Sequence, residues 1–456
     1  MNRKTELRSL TPALRSALAA ATDDRIFYDL AGIARRFAAL LDELPGVAVR
    51  FAMKACPVDE VLAELTALGA GFDAASPHEI AQALRTGVPV GRVHYGNTVK
   101  SDQGIAEAYR LGIRDFATDS LSDVSAIAEH APGSRVFCRL ATSGEGALWG
   151  LSRKFGCSAA DAVQVLTAAR EAGLTPAGLS VHVGSQQLTS KAWLAAFELL
   201  GDVLVELELH GIRLDHINLG GGLPALGYVD RHGTALDPPL DEIFQVVRQG
   251  IDGLRQLHGG ELDFILEPGR HLVADQGAIR AHVFRLTFRQ QPDGERQHWL
   301  YLSCGKFNGL YEMDQLQYRL VFPTHPDPDY VPAVVAGPTC DSDDAFPHGH
   351  ATGRVPVPRA VASGDPVWIL SSGAYAVSYL TQGFNGFDPL PYTVLPADAE
   401  LSGEPALAAH SEDGTVHLGG RAAGANPPAV EIRESTPRRP SGAPLSVMIA
   451  EGGSGL

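Results

Sequence analysis

From about residue 26 to 275, short apolar runs alternate with amphipathic stretches, and no other feature of the chain restricts its fold so tightly. The runs fall near 46–53, 70–75, 92–97, 114–118, 134–141, 178–184, 214–220 and 262–266. Helical spacing fills the intervals, as at 101–111, 159–172, 191–209 and 240–257, and another helical stretch at 33–44 precedes the first run. Between Asp161 and Arg170, for instance, Val163, Val165, Leu166 and Ala169 are apolar among polar neighbours. Eight such units in roughly 250 residues predict an α/β architecture, a (β/α)8 TIM-like barrel. An open, doubly wound sheet is the alternative.

After residue 276 the texture changes. The stretches 281–288, 298–302, 333–335 and 366–369 are β-rich, with Pro and Gly frequent between them. A second, C-terminal β-sandwich or β-barrel domain is expected over 276–395. Residues 1–25 are expected to join it, adding a strand. From Pro396 onward there is no Phe, Tyr or Trp, and a segment of that composition cannot bury enough apolar surface to offset its ordering entropy. Disorder is expected over 396–456.

Composition sets limits on function. The hydrophobic share of 45% and charged share of 20% suit a soluble globular enzyme. A net charge of -16 argues against nucleic acid and anionic membrane surfaces as partners, and suits a cationic small molecule. The five cysteines (Cys56, Cys138, Cys157, Cys304, Cys340) contain no CxxC pair, so neither a disulfide framework nor a metal site is expected. With no apolar signal core at the N-terminus, a cytoplasmic location is expected.

The chemistry gathers at strand ends. Lys54, in Phe51-Ala-Met-Lys54-Ala-Cys-Pro57, ends the first strand, and Pro57 suits the first turn of the helical stretch 58–68. Taken alone such a lysine is a solvated surface amine, but apolar surroundings favour loss of its proton and make it a nucleophile. Four clusters follow: Ser180-Val-His182-Val-Gly-Ser185, Asn218-Leu-Gly220-Gly221-Gly222-Leu-Pro224, Leu266-Glu267-Pro-Gly269-Arg270, and Gly337-Pro-Thr-Cys340-Asp341-Ser-Asp343-Asp344. The three glycines leave backbone N–H groups open to close approach by a phosphate, where barrels commonly bind one. Singly, His182 reads as a satisfied core residue, Asp73 as a helix cap and Cys340 as a small hydrophobe. Together, a lysine to form a Schiff base, a phosphate cradle, a stacking histidine and a lone carboxylate specify pyridoxal 5'-phosphate.

In these motifs, running on to Phe384-Asn-Gly-Phe387, the chain resembles the fold-type III pyridoxal-phosphate decarboxylases, which comprise the ornithine, arginine and diaminopimelate enzymes. The resemblance implies that Lys54 carries the cofactor, that His182 stacks on its ring and that Glu267 pairs with its nitrogen. Ser185, Gly220, Gly221, Gly222, Gly269, Arg270 and Tyr375 would hold the phosphate, and Asp73 and Arg139 would organise the site. Cys340, as proton donor, and Asp341, as binder of a distal amine, would come from the other subunit of a homodimer. Phe384 would lie at the substrate.

The Cys340-Asp341 pair resembles the ornithine type. Where that type carries an aspartate before Gly305, this chain has Ser303 and Cys304, so Cys304 takes a substrate-side position that Glu312, Asp314, Asp343 or Asp344 would have to complement. The expected activity is decarboxylation of L-ornithine, giving putrescine for polyamine biosynthesis, or of L-lysine. Alternatives are decarboxylation of diaminopimelate or of a modified or carrier-bound amino acid. A catalytically dead regulatory homologue is a different class, and the presence of Lys54, Glu267, Arg270 and Cys340 speaks against it.

Overall fold

Strands buried on both faces are largely apolar, and the eight runs read from the sequence all become strands of one closed sheet. The computed structural model describes residues 10–150, 154–230, 232–326, 328–347 and 354–397. The tail expected to be disordered lies outside the described residues beyond Ala397. In chain order the strands of this half are β1 (Arg25–Asp29), β2 (Val47–Ala52), β3 (Gly71–Ala74), β4 (Val93–Tyr95), β5 (Asp115–Thr118), β6 (Arg135–Arg139), β7 (Ala147–Trp149), β8 (Thr175–Ser180), β9 (Ser185–Gln187), β10 (His216–Asn218) and β11 (Asp263–Leu266). Strands β2, β3, β4, β5, β6, β8, β10 and β11 pair in parallel and close into a barrel, with β11 returning to β2. The open doubly wound sheet is excluded. Strands β7 and β9, which the sequence did not announce, form a separate two-stranded antiparallel ribbon.

Phe51, Phe72 and Phe116 are fully buried, each flanked along its strand by polar or small residues. Helices follow the strands with local signals for their starts. Ser76, Ser101, Ser120 and Ser158 each accept a hydrogen bond from the N–H three residues on, a cap worth about 1 kcal/mol. Pro57 stands outside its helix, which runs Asp59–Ala67 with Val58 as cap, because the chain first makes a 3-10 turn, Met53–Ala55, that carries Lys54. No helix among the described residues is long and apolar enough to cross a membrane.

The second sheet contains β12 (Gly277–Gln290), β13 (Arg296–Leu302), β14 (Leu320–Val321), β15 (Tyr330–Ala336), β16 (Arg354–Pro358), β17 (Pro366–Leu370) and β18 (Tyr392–Leu395). The first half of β12 pairs with β17 and its second half with β13, and the register shifts between Val283 and Arg285. A shift of this kind bends a strand and lets one long strand serve two halves of a curled sheet. Strand β1 belongs here, between β12 and β18, rather than to the barrel.

Residues before Arg25 add a helix, Pro12–Ala20, instead of the expected strand. Leu14, Ala17 and Leu18 recur at helical spacing, Thr11 caps and Pro12 opens the first turn. Their apolar face is buried with Phe27, Val321, Trp368 and Leu370 of the sheet. Leu14→Ala should therefore cost about 2–5 kcal/mol, seen as a lower urea midpoint for loss of near-UV circular dichroism. An unchanged midpoint would mean the helix adds no stability to the sheet.

Candidate active site

Lys54, Asp73, His182, Ser185, Gly221, Gly222, Glu267, Gly269, Arg270 and Tyr375 line one cleft of about 360 Å³ at the carboxyl end of the barrel. A larger cleft, about 980 Å³ beside Val229, Tyr318 and Tyr330, holds none of the residues singled out from the sequence. Lys54 remains accessible to solvent although protein packs closely around it. Burial works against its charge, but Tyr375, Asp73 and Glu267 outweigh it and hold the amine's pKa above its ordinary value. The expectation that desolvation lowers it is therefore corrected, because Tyr375, Asp73 and Glu267 together outweigh burial and Arg139.

The carboxylates are fixed from the barrel interior. Glu267 Oε1 accepts from Asn218 Nδ2 at 2.5 Å and lies 2.9 Å from His94 Nε2. Its Oε2 accepts no hydrogen bond among the described residues. Asp73 lies 3.2 Å from the same nitrogen of His94. Burial raises the carboxyl of Asp73, but His94, Lys54 and Arg139 overcome this and hold its pKa below the usual range. Arg139 is half-buried, its guanidinium 5.0 Å from the ring centre of Phe155. Burial lowers its pKa against the pull of Glu267 and Asp73.

His182 is enclosed. Burial first, then Arg139 and Lys54, push its imidazole well below the usual value, so the ring is neutral at pH 7. The Gly184 N–H donates to Nδ1 at 3.1 Å, which puts the proton of the neutral ring on Nε2. The glycine loop folds over this ring. A Cβ on Gly221 would meet Glu267 O at 2.9 Å and His182 Nε2 at 3.1 Å. Gly220 has φ +65°, and a Cβ there would strike Val181 O at 2.0 Å, so only glycine fits.

Arg270 is enclosed by rings, with Trp149, Tyr375 and Tyr228 centred 4.7, 4.8 and 5.6 Å from its guanidinium carbon. Its two terminal nitrogens donate to Glu312 at 2.5 and 2.6 Å, and one also reaches Ser185 Oγ at 3.2 Å. Its Nε is buried with no partner. Tyr375, at φ 63°, donates its N–H to Ala55 O at 2.7 Å and so ties the β domain to the lysine turn.

Other expected residues lie elsewhere. Cys304 is buried in the core, and burial drives its thiol well above the ordinary range, so it lines no part of this cleft. Of its proposed complements, Glu312 is held by Arg270, and Asp344 accepts from Lys306 N, Thr339 N and Thr339 Oγ1. Cys340 and Asp341 are exposed and outside the cleft of their own chain. The Cys340 N–H donates to Asn385 Oδ1 at 2.9 Å, and Phe384 stacks on Phe307 at 4.4 Å. His94, Arg50 and Glu312 in its actual role were missed. A lone polar residue between Val93 and Tyr95 in a barrel strand is the signal that would have revealed His94.

The chain is 29% identical over 364 residues to the lysine/ornithine decarboxylase of Selenomonas ruminantium, covering 79% of this chain and 86% of that one. It is 27% identical over 390 residues to the ornithine decarboxylase of Schizosaccharomyces pombe, covering 83% and 85%. The structure of a lysine/ornithine decarboxylase of Vibrio vulnificus complexed with putrescine superposes with a TM-score of 0.71 at 25% identity, covering 85% of this chain and 99% of that one. Residues 30–274, more than half the chain, match the family described as pyridoxal-dependent decarboxylase, pyridoxal binding domain, and with the barrel and cleft in place the chain belongs to that family, as an amino-acid decarboxylase whose cofactor is pyridoxal 5'-phosphate.

Proposed function

We propose that the protein removes the α-carboxylate of a basic L-amino acid, L-ornithine or L-lysine, as a homodimer whose two clefts each take residues from both chains. The observation that supports it best is the joint lining of one cleft by the Lys54 amine, the free edge of Glu267 and Arg270 beneath a glycine loop. The named relatives act on lysine and ornithine.

The cleft suits pyridoxal 5'-phosphate. Arg270 Nε is a buried donor without an acceptor, and Gly221 and Gly222 pack so closely on their neighbours that a Cβ at either would meet an atom within 3 Å. Lys54 would hold the cofactor covalently, and Glu267 Oε2 would face its ring nitrogen. Ser185, Gly220, Gly221, Gly222, Gly269, Arg270 and Tyr375 would surround the phosphate. The bound cofactor supplies a sink for the electron pair left when carbon dioxide departs. The neutral His182 ring would lie against that sink without adding charge, and Glu267 would stabilise positive charge at the ring nitrogen. Asp73 and Arg139 hold the charges around the Lys54 amine in balance.

Because Cys340 and Asp341 are exposed and away from their own cleft, we assign them to the cleft of a second copy. There the Cys340 thiol would return a proton to the α-carbon, and the Asp341 carboxylate would accept hydrogen bonds from the substrate's distal ammonium. With Cys304 excluded by burial as a partner, and with Glu312 and Asp344 engaged, Asp341 carries this contact.

Lys54→Ala should abolish turnover and the borohydride-reducible link between cofactor and protein; a link that persists would remove Lys54 from its role. Asp341→Asn should raise KM for ornithine and lysine by one to two orders of magnitude, the worth of a charged hydrogen bond of roughly 1.5–3 kcal/mol, with kcat changed less. Carbon dioxide release from a panel of ornithine, lysine, arginine and diaminopimelate decides the substrate class, and turnover of diaminopimelate alone would overturn the basic-amino-acid reading. Mixing inactive Lys54→Ala and Cys340→Ala chains should restore roughly a quarter of wild-type sites, since random pairing gives half heterodimers with one intact cleft each. No recovery after demonstrated subunit exchange would show each cleft to be built within one chain.

A further inference from the structure

His94 is fully buried in the middle of β4, flanked by the buried Val93 and Tyr95. Its Nε2 is 2.9 Å from Glu267 Oε1 and 3.2 Å from Asp73 Oδ1. Its Nδ1 is 2.5 Å from the Arg50 guanidinium, contributed by β2. A guanidinium has only donors, so Nδ1 must accept, and the single ring proton is left on Nε2, where it can be donated only to the two carboxylates. Asn218 donates to the same Glu267 oxygen. Asn218 Nδ2 and His94 Nε2 thus both stand against Oε1 of a carboxylate that lines the cleft.

We propose that Arg50 and His94 form a positioning pair for Glu267: Arg50 occupies Nδ1 and bars a second proton, so that His94 remains a neutral Nε2–H donor that keeps Glu267 aimed at the cofactor's ring nitrogen. The reading of Glu267 as the ring-nitrogen partner underlies the last clause; the lock on His94 stands without it.

The charges around His94 make this lock matter. Glu267 and Asp73 face Nε2, Arg50 faces Nδ1, and the Phe137 ring from β6 lies 5.1 Å away at a tilt. Arg50 is itself 3.6 Å from Asp115 of β5. Burial and then Arg50's charge lower the proton affinity of the imidazole, but the two carboxylates overcome them and the net pull is upward. A second proton is thus attracted to this ring, and only displacement of the guanidinium from Nδ1 would admit it. An imidazolium there would place a mobile positive charge beside the carboxylate that must face a cationic ring.

The test begins without cofactor. In apoprotein labelled with 15N-histidine, His94 (assigned by its loss in His94→Gln) should show one protonated and one acceptor nitrogen from pH 6 to 8. In Arg50→Met it should show two protonated nitrogens at neutral pH. Two protonated nitrogens in the wild type, or a neutral His94 in Arg50→Met, would overturn the lock. With pyridoxal phosphate added, His94→Leu should bind it about tenfold more weakly, the worth of one charged hydrogen bond, and His94→Gln, which keeps an N–H donor, should recover most of that affinity. The cofactor absorbance of Arg50→Met should gain a pH-dependent step absent from the wild type. If the lock is found but affinity and absorbance stay unchanged in these variants, the link from His94 to Glu267's role is overturned while the tautomer assignment survives.

Discussion

The interior of this barrel is held by charge. Barrels of this class usually fill their centre with branched aliphatic side chains. Here Arg135 bridges Asp115 at 2.7 Å and Asp215 at 2.8 Å, Arg50 stands between Asp115 and His94, and His94 reaches Glu267. The chain of contacts starts at the partly exposed Arg135 and Asp215 and ends at the catalytic cleft. Ions removed from water need their partners, and removing one member of a buried pair costs about 3–5 kcal/mol. The Glu267 carboxylate that lines the cleft is therefore linked, through His94, Arg50 and Asp115, to Arg135 and Asp215 outside the cleft.

A second buried pair joins the two halves of the protein. Arg270 follows the last barrel strand, and Glu312 lies in the 3-10 turn Tyr311–Asp314 of the β domain. Their contact at 2.5 and 2.6 Å takes both terminal nitrogens of the guanidinium and leaves Nε buried without a partner. The sequence offered Glu312 as a complement for a missing substrate-side acid. Its burial beside Arg270, whose pKa it helps drive well above the ordinary value against the cost of burial, gives it a different task. It fixes the guanidinium before any anion arrives, as preorganisation requires.

What was legible follows from period and burial. The barrel strands and the helices at Lys191–Leu209 and Leu240–His258 stood out because apolar residues repeat along them over many positions. The N-terminal helix was missed because its signal, Leu14 and Leu18 behind Thr11-Pro12, spans barely two turns. Arg50 and His94 were missed for the opposite reason: in strands of six and three residues, one polar side chain looks like a lapse in the pattern. Lys54, His182, Glu267 and Arg270 were readable because each ends a strand within a distinctive motif. Cys304 was placed by analogy with an acid, but a thiol has no charge to hold it near water, and it packs inward.

The two motifs late in the chain explain each other. Cys340 and Phe384 are far apart in sequence, yet the Cys340 N–H is held by Asn385, and Phe384 is anchored on Phe307. Asn385 adopts φ 52°, a left-handed conformation that asparagine tolerates better than most residues, with Gly383 and Gly386 on either side also at positive φ. The Phe384-Asn-Gly-Phe387 turn is thus a buttress that sets the height and direction of the Cys340–Asp341 loop. Asp341 in turn accepts from Asp343 N at 2.8 Å, which restrains its carboxylate without neutralising it. A single extra carboxylate at position 304 would be buried near Asp24 and Asp344, where like charges disfavour it.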